Sequence, residues 1–149
     1  HRREKACAFV NIDMEAIGNW AEKRNIAYSG YADLAARDEV YELVRECFER
    51  VNADLAQEPE IANSQIHRFL ILHKELDADD EELTRTRKVR RGFIAEKYAP
   101  LVAALYDGSR TVHVEAQVRY EDGRTGTYSA DLKIRDAKTF PPAAAKRAA

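Results

Sequence analysis

The strongest constraint on this sequence is a change of period along the chain. Val40, Leu43, Val44, Cys47, Phe48, Val51 and Leu55 recur at helical spacing, while Glu39, Glu42, Arg45, Glu46, Glu49 and Arg50 fill the opposite face. Asp38 is the expected cap of this helix. From Val112 onward the period is two. Val112, Val114, Ala116, Val118 and Tyr120 alternate with polar residues, and so do Gly126, Tyr128, Ala130, Leu132 and Ile134. Directly opposed residues of paired strands share a face. Both apolar sets occupy even positions, so paired numbers must sum to an even value, which an Asp-Gly two-residue turn cannot give. A three-residue loop, Glu121-Asp122-Gly123, satisfies the parity with Gly123 in the left-handed region. Val118 then opposes Gly126, Ala116 opposes Tyr128 and Val114 opposes Ala130. On the polar side Glu115 falls near Ser129 and His113 near Asp131.

The remaining segments fit around these two. Ala6–Ile12 and Ile66–Leu72 read as buried strands. Asp13 is a good N-cap for a short helix through Lys23, carrying Met14, Ile17, Trp20 and Ala21 at helical spacing. Ile94, Tyr98, Leu101, Val102 and Leu105 give another helix, kinked or restarted at Pro100. The fold class is therefore α+β, a small mixed β-sheet flanked by helices, with an extra C-terminal β-hairpin. Residues 137–149, rich in Pro and Ala, read as a loose tail.

Composition excludes several classes. The chain has 149 residues, 24 basic and 26 acidic, for a net charge of −2. That length suits one globular domain with a radius of gyration of about 15 Å. The balanced charge argues against a dedicated nucleic-acid binder. No apolar run approaches the roughly 18 residues of a transmembrane helix, and no signal peptide is visible, so a cytoplasmic location is expected, with peripheral membrane contact left open. Two cysteines make no disulfide framework. Both Cys7 and Cys47 read as small hydrophobes on apolar faces. There is no Gly-rich phosphate loop and no metal-binding Cys or His motif. The absence of a starting Met suggests a piece of a longer chain.

Few residues stand out chemically. His67 and His73 flank the second strand without metal-pair spacing. The acidic run from Asp77 to Glu82 lacks the spacing and glycine of a calcium loop, so it reads as a solvated loop or first helical turn. The segment Leu83-Thr84-Arg85-Thr86-Arg87-Lys88-Val89-Arg90-Arg91 is different, with five basic residues among Arg85–Arg91. Composition leaves three readings: a solvated basic face, a phosphate-binding patch, or one functional lysine on a loop with arginines gripping a partner.

The stretch LTRTRKVRRGFIAEKYAPLVAALY resembles the end of the C-terminal domain of AMP-forming acyl-CoA synthetases, the long-chain fatty-acid type in particular. Leu83, Thr84, Thr86, Lys88 and Arg91 match the pattern L-T-x-T-x-K-x-x-R, and Glu96-Lys97-Tyr98 match the helix that follows. Upstream, Trp20, Tyr31, Leu34, Val51-Asn52, Ile66 and Phe69–Leu72 fall in the family's order, so the resemblance covers about residues 6–107. Arg87 stands where many members have Gly, and Arg85 where many long-chain members have Pro.

The resemblance implies a mobile lid domain over 1–107, with 108–136 as a hairpin extension. It implies that Lys88 is the lysine of acyl-adenylate formation. Thr84, Thr86, Arg87, Arg90 and Arg91 would touch substrate or nucleotide phosphates or dock the lid. The whole enzyme would use ATP, Mg and CoA, bound mainly by a large N-terminal adenylation domain, and a fatty acid as substrate. This chain alone would be inactive. The alternatives are a stand-alone interaction module of the same fold and the lid of an aryl or medium-chain acid CoA ligase. A basic-loop RNA binder is disfavoured by the net charge.

Overall fold

A computed structural model of the chain describes residues 6–74, 82–86, 88–119 and 123–143. Its elements run β1 (Ala6–Val10), α1 (Met14–Lys23), α2 (Tyr31–Ala36), α3 (Asp38–Ala56), a single 3-10 turn (Ala62–Ser64), β2 (Ile66–Ile71), α4 (Arg91–Lys97), α5 (Ala99–Tyr106), β3 (Thr111–Arg119) and β4 (Thr125–Asp136). The four strands form a mixed sheet in the order β1-β2-β4-β3. The α+β class expected from the sequence is the one observed. The chain divides into two compact units, residues 1–76 with 135–149, and residues 77–134.

In the first unit β1 and β2 pair in parallel, with Phe9 opposite Leu70 and Val10 opposite Ile71. Parallel strands need a long crossover, and α1, α2 and α3 supply it. Phe69, Leu70, Ile71 and Leu72 are all buried, the continuous apolar run of a strand covered on both faces. Phe69 is the centre of this core. Its ring lies 5.8 Å from that of Tyr41 and 5.3 Å from that of Phe48, within the range of favourable aromatic pairs. The Tyr41 hydroxyl accepts from the Ile71 amide at 3.2 Å. Ile12, Ala21, Leu34, Ala35, Val40 and Ala137 complete the cluster.

Helix starts follow local chemistry. Asp13 Oδ1 accepts from the amides of Glu15 (3.0 Å) and Ala16 (3.3 Å), so the expected cap is present. At α3 the outcome differs from expectation. Arg37 is the cap, extended and without a side-chain capping bond, and Asp38 lies inside the first turn. There its charge still complements the helix dipole. The buried stripe of α3 is also rotated from the expected one. Val40, Tyr41, Asn52 and Ala56 are buried, whereas Cys47 and Val51 are exposed. Cys47 is therefore not the small packed hydrophobe expected, and Arg50 Nη2 lies 3.4 Å from its sulfur. The rotation is explained by Asn52. Its amide donates to the carbonyls of Ile66 (2.8 Å) and Lys138 (2.9 Å), and its oxygen accepts from the Ile66 amide (2.8 Å). Three satisfied hydrogen bonds allow a polar side chain inside.

The same bonds bear on the expected tail. Residues 137–143 are tied down. Phe140 exchanges two hydrogen bonds with the Gln65 side chain, at 2.7 and 2.8 Å, the Lys138 amide meets Glu49, and the Ala143 amide reaches the Ala56 carbonyl at 2.7 Å. Pro and Ala in this stretch suggest looseness, but its backbone is bonded by the Asn52, Gln65 and Glu49 side chains and by the Ala56 carbonyl. Residues 144–149 lie outside the described residues.

In the second unit β3 and β4 pair antiparallel. Val118 opposes Gly126, Ala116 opposes Tyr128, Val114 opposes Ala130, Glu115 opposes Ser129 and His113 opposes Asp131. Every pair sums to the value demanded by the parity argument, and Gly123 has φ +85°. Glu121 and Asp122 of the expected loop lie outside the described residues. Tyr98 separates α4 from α5, and its carbonyl accepts from the amides of Leu101 and Val102. Pro100 falls in the first turn of α5, where its missing N–H leaves no bond unmade. This is the restart expected at Pro100.

Candidate functional site

The basic segment folds as a small, internally bonded turn. Leu83 and Val89 form an antiparallel bridge. The Thr84 amide donates to the Lys88 carbonyl at 2.8 Å, and the Arg90 amide donates to the Glu82 carbonyl at 3.0 Å. The turn is closed by side chains as well. Thr84 Oγ1 accepts from the Lys88 amide at 3.0 Å and lies 3.1 Å from Thr86 Oγ1. Threonine suits this position because its hydroxyl can bond backbone locally where no ladder continues.

Lys88 stands on this turn, exposed, and among the described residues its ammonium has no ion-pair or hydrogen-bond partner. Arg85 and Arg91 are likewise exposed and unpaired among the described residues. Arg90 caps α4 with its backbone and lays its guanidinium 5.0 Å from the centre of the Phe93 ring, a cation–π contact. Arg91 is the first residue of α4. Arg87 lies outside the described residues. Thus Thr84, Thr86 and Lys88 are brought together by bonding, while Arg90 and Arg91 follow at the helix entrance.

Glu82 supports the turn from below. It is fully buried. Its Oε2 accepts from Lys97 Nζ at 3.1 Å and from the Tyr98 hydroxyl. An unpaired buried carboxylate would be strongly unfavourable, and these two donors at the end of α4 supply the compensation. In the sequence Glu82 is the last member of an acidic run and reads as solvated. The signal that could have marked it is its place beside Leu83, with Lys97 and Tyr98 available one short helix later. Asp77, Ala78, Asp79, Asp80 and Glu81 lie outside the described residues.

Away from the turn, His113 faces Asp131 across the hairpin, with Nδ1 and Oδ1 2.8 Å apart, and its Nε2 lies 3.5 Å from Glu115. Both residues hold the His113 pKa above the ordinary value, Asp131 more than Glu115, by hydrogen bonding to the charged ring. His73 is buried at the end of β2. Among the described residues no three His, Cys, Asp or Glu side chains are placed to hold a metal ion. No helix among them is long and apolar enough to cross a membrane.

Comparison with known proteins supplies a relative in sequence. The chain is 29% identical over 101 residues to the long-chain-fatty-acid–CoA ligase FadD15 of Mycobacterium tuberculosis, and equally to FadD15 of Mycobacterium bovis. A region of 101 residues in the chain is related to an acyl-CoA ligase. The aligned stretch is 67% of this chain but 16% of the ligase, so the chain spans about a sixth of the relatives it matches. No family model matches the chain, and no solved structure matches it.

Proposed function

We propose that this chain is the mobile C-terminal domain of a long-chain fatty acid–CoA ligase, with Lys88 the lysine of acyl-adenylate formation. The observation that carries the reading is Lys88 itself. It is an exposed ammonium without a counter-charge among the described residues, on a turn held by Thr84 and set within the segment that resembles the ligase motif.

The chemistry explains why such a lysine is wanted. Joining a carboxylate to ATP brings two anions together at the α-phosphate. A compact cation on a flexible stem can bridge them while charge redistributes. Carried on a domain that turns, it can be withdrawn before CoA enters. An ammonium already paired to a local carboxylate could not do this without breaking the pair. Arg90 and Arg91 would steer phosphates or dock the lid, and Thr84 and Thr86 would hold the turn while doing so. Arg87 is assigned the same role from the resemblance alone.

In this reading residues 1–107 form the lid and 108–136 a hairpin extension. ATP, CoA, the fatty acid and Mg are bound mainly by a large N-terminal domain, which is the lid's partner. Bound there, Mg would offset phosphate charge. This chain's own contribution is the lysine, and the chain by itself has no ligase activity. The fatty acid is assigned from the relative, whose name specifies a long chain.

The test separates the two half-reactions in the intact ligase. Lys88→Ala should lower ATP–pyrophosphate exchange by about a hundredfold or more, the usual scale for losing one charge-stabilising group. Thioester formation from synthetic acyl-adenylate and CoA should change little. Equal damage to both steps, or none to the first, rules out the assignment.

A further inference from the structure

Glu82 is bonded at both ends of one helix. Its backbone carbonyl accepts from the amide of Arg90, the residue that caps the start of α4. Its carboxylate accepts from Lys97, the last residue of α4, and from Tyr98, the residue that ends it. Seven residues at 1.5 Å each place these ends about 10 Å apart. Because the long side chains of Lys97 and Tyr98 cover the difference, one residue is bonded to groups from both ends of the helix.

Glu82 is also the first rung of the turn that carries Lys88. The bond from Arg90 to Glu82, the Leu83–Val89 bridge and the bond from Thr84 to Lys88 follow one another as a short antiparallel ladder. The far end of this ladder is exposed, with Lys88 and Val89 in solvent. A single bridge flanked by two backbone bonds is too short to hold a geometry alone. The buried members of the ladder are Leu83 and Glu82, and the Glu82 carboxylate is held by two donors.

We propose that Glu82 is the positioning residue for Lys88: its buried carboxylate, clasped by Lys97 and Tyr98, fixes the lysine-bearing turn onto helix α4. This rests on the reading of Lys88 as the adenylation lysine only for its catalytic consequence. Glu82 touches no substrate. It acts by keeping the ammonium from wandering over the exposed end of the ladder, the support that a functional side chain on a short loop requires.

Two measurements test it. In this chain, Glu82→Gln should raise amide exchange at Thr84 and Arg90 by about tenfold, while Leu101 in α5 stays protected, because local opening is decoupled from global unfolding. The double variant Glu82→Gln with Lys97→Met removes both charges and leaves an amide oxygen to accept from Tyr98, so it should restore part of the protection. Unchanged exchange at Thr84 and Arg90, or an equal rise at Leu101, overturns the proposal. In the intact ligase, Glu82→Gln should lower kcat for ATP–pyrophosphate exchange by roughly a hundredfold, the scale of a misplaced catalytic group, with the KM for ATP little changed. Lys88→Ala runs beside it. If Lys88→Ala abolishes exchange and Glu82→Gln does not lower it, positioning is refuted while the lysine assignment stands. If Lys88→Ala has no effect, the lysine assignment falls, and amide exchange alone then decides whether Glu82 fixes the turn.

Discussion

His113 and Asp131 face each other across the β3–β4 hairpin with Nδ1 and Oδ1 2.8 Å apart, on the solvent side of the strands. The bond to Asp131, then that to Glu115, raises the His113 pKa above its ordinary 6.5. A raised folded-state value means that the pairing favours the hairpin below the unfolded value and is lost as pH climbs through the folded one. NMR titration of the imidazole should show a midpoint above 6.5. Asp131→Asn should lower it more than Glu115→Gln does. An ordinary midpoint in the unaltered chain would show that the pair does not form.

Removing the cap of α1 gives a second, simpler expectation. Asp13→Ala leaves the Glu15 and Ala16 amides without their acceptor. The chain should lose about 1 kcal/mol in urea denaturation, the usual worth of an N-cap carboxylate. Asp38→Ala should cost less, since Arg37 holds the cap position of α3. Equal losses at the two sites would contradict this difference.

Asn52 offers a sharper case. Asn52→Leu keeps the volume but strands three backbone groups, at Ile66 and Lys138. Leaving buried polar groups unpaired should cost about 2 kcal/mol or more. Amide exchange at Phe140 and Ala143 should accelerate as residues 137–143 loosen. A stable variant with an unchanged Phe140 amide would mean that Gln65, Glu49 and Ala56 hold this stretch without Asn52.

Gly123 sits at φ +85°, a conformation that costs a residue with a Cβ about 1–2 kcal/mol. Gly123→Val should weaken the hairpin by that order, read as faster exchange at the β3 amides. Gly123→Asn should be milder, because Asn tolerates this region better than a β-branched residue.

The parts of the fold visible in sequence are those set by periodicity or by one residue's chemistry. The β3–β4 register follows from parity, the restart of the helix from Pro100, and the start of α1 from Asp13. What escaped depends on partners distant in sequence. Asn52 lies inside because Ile66 and Lys138 offer it bonds, and no pattern local to α3 reveals them. Helix α2 is only six residues long, too short to show a helical period. At the candidate site, Lys88 and the threonines stand out in the sequence only through the resemblance to the motif. The burial of Glu82 was not, because a carboxylate in an acidic run looks solvated until the two donors that enclose it are placed.

The hairpin pairing carries a rule about which length changes its loop can accept. Five residues separate the last opposed pair, Arg119 and Thr125. Gaining or losing a single residue there would set the even-numbered apolar positions of one strand against the polar positions of the other, unless a bulge absorbed it. Two residues added or removed together would leave every facing pair beyond the loop intact. Drift in the length of this loop should therefore proceed by twos, and a related chain differing by one should carry a compensating bulge in β3 or β4.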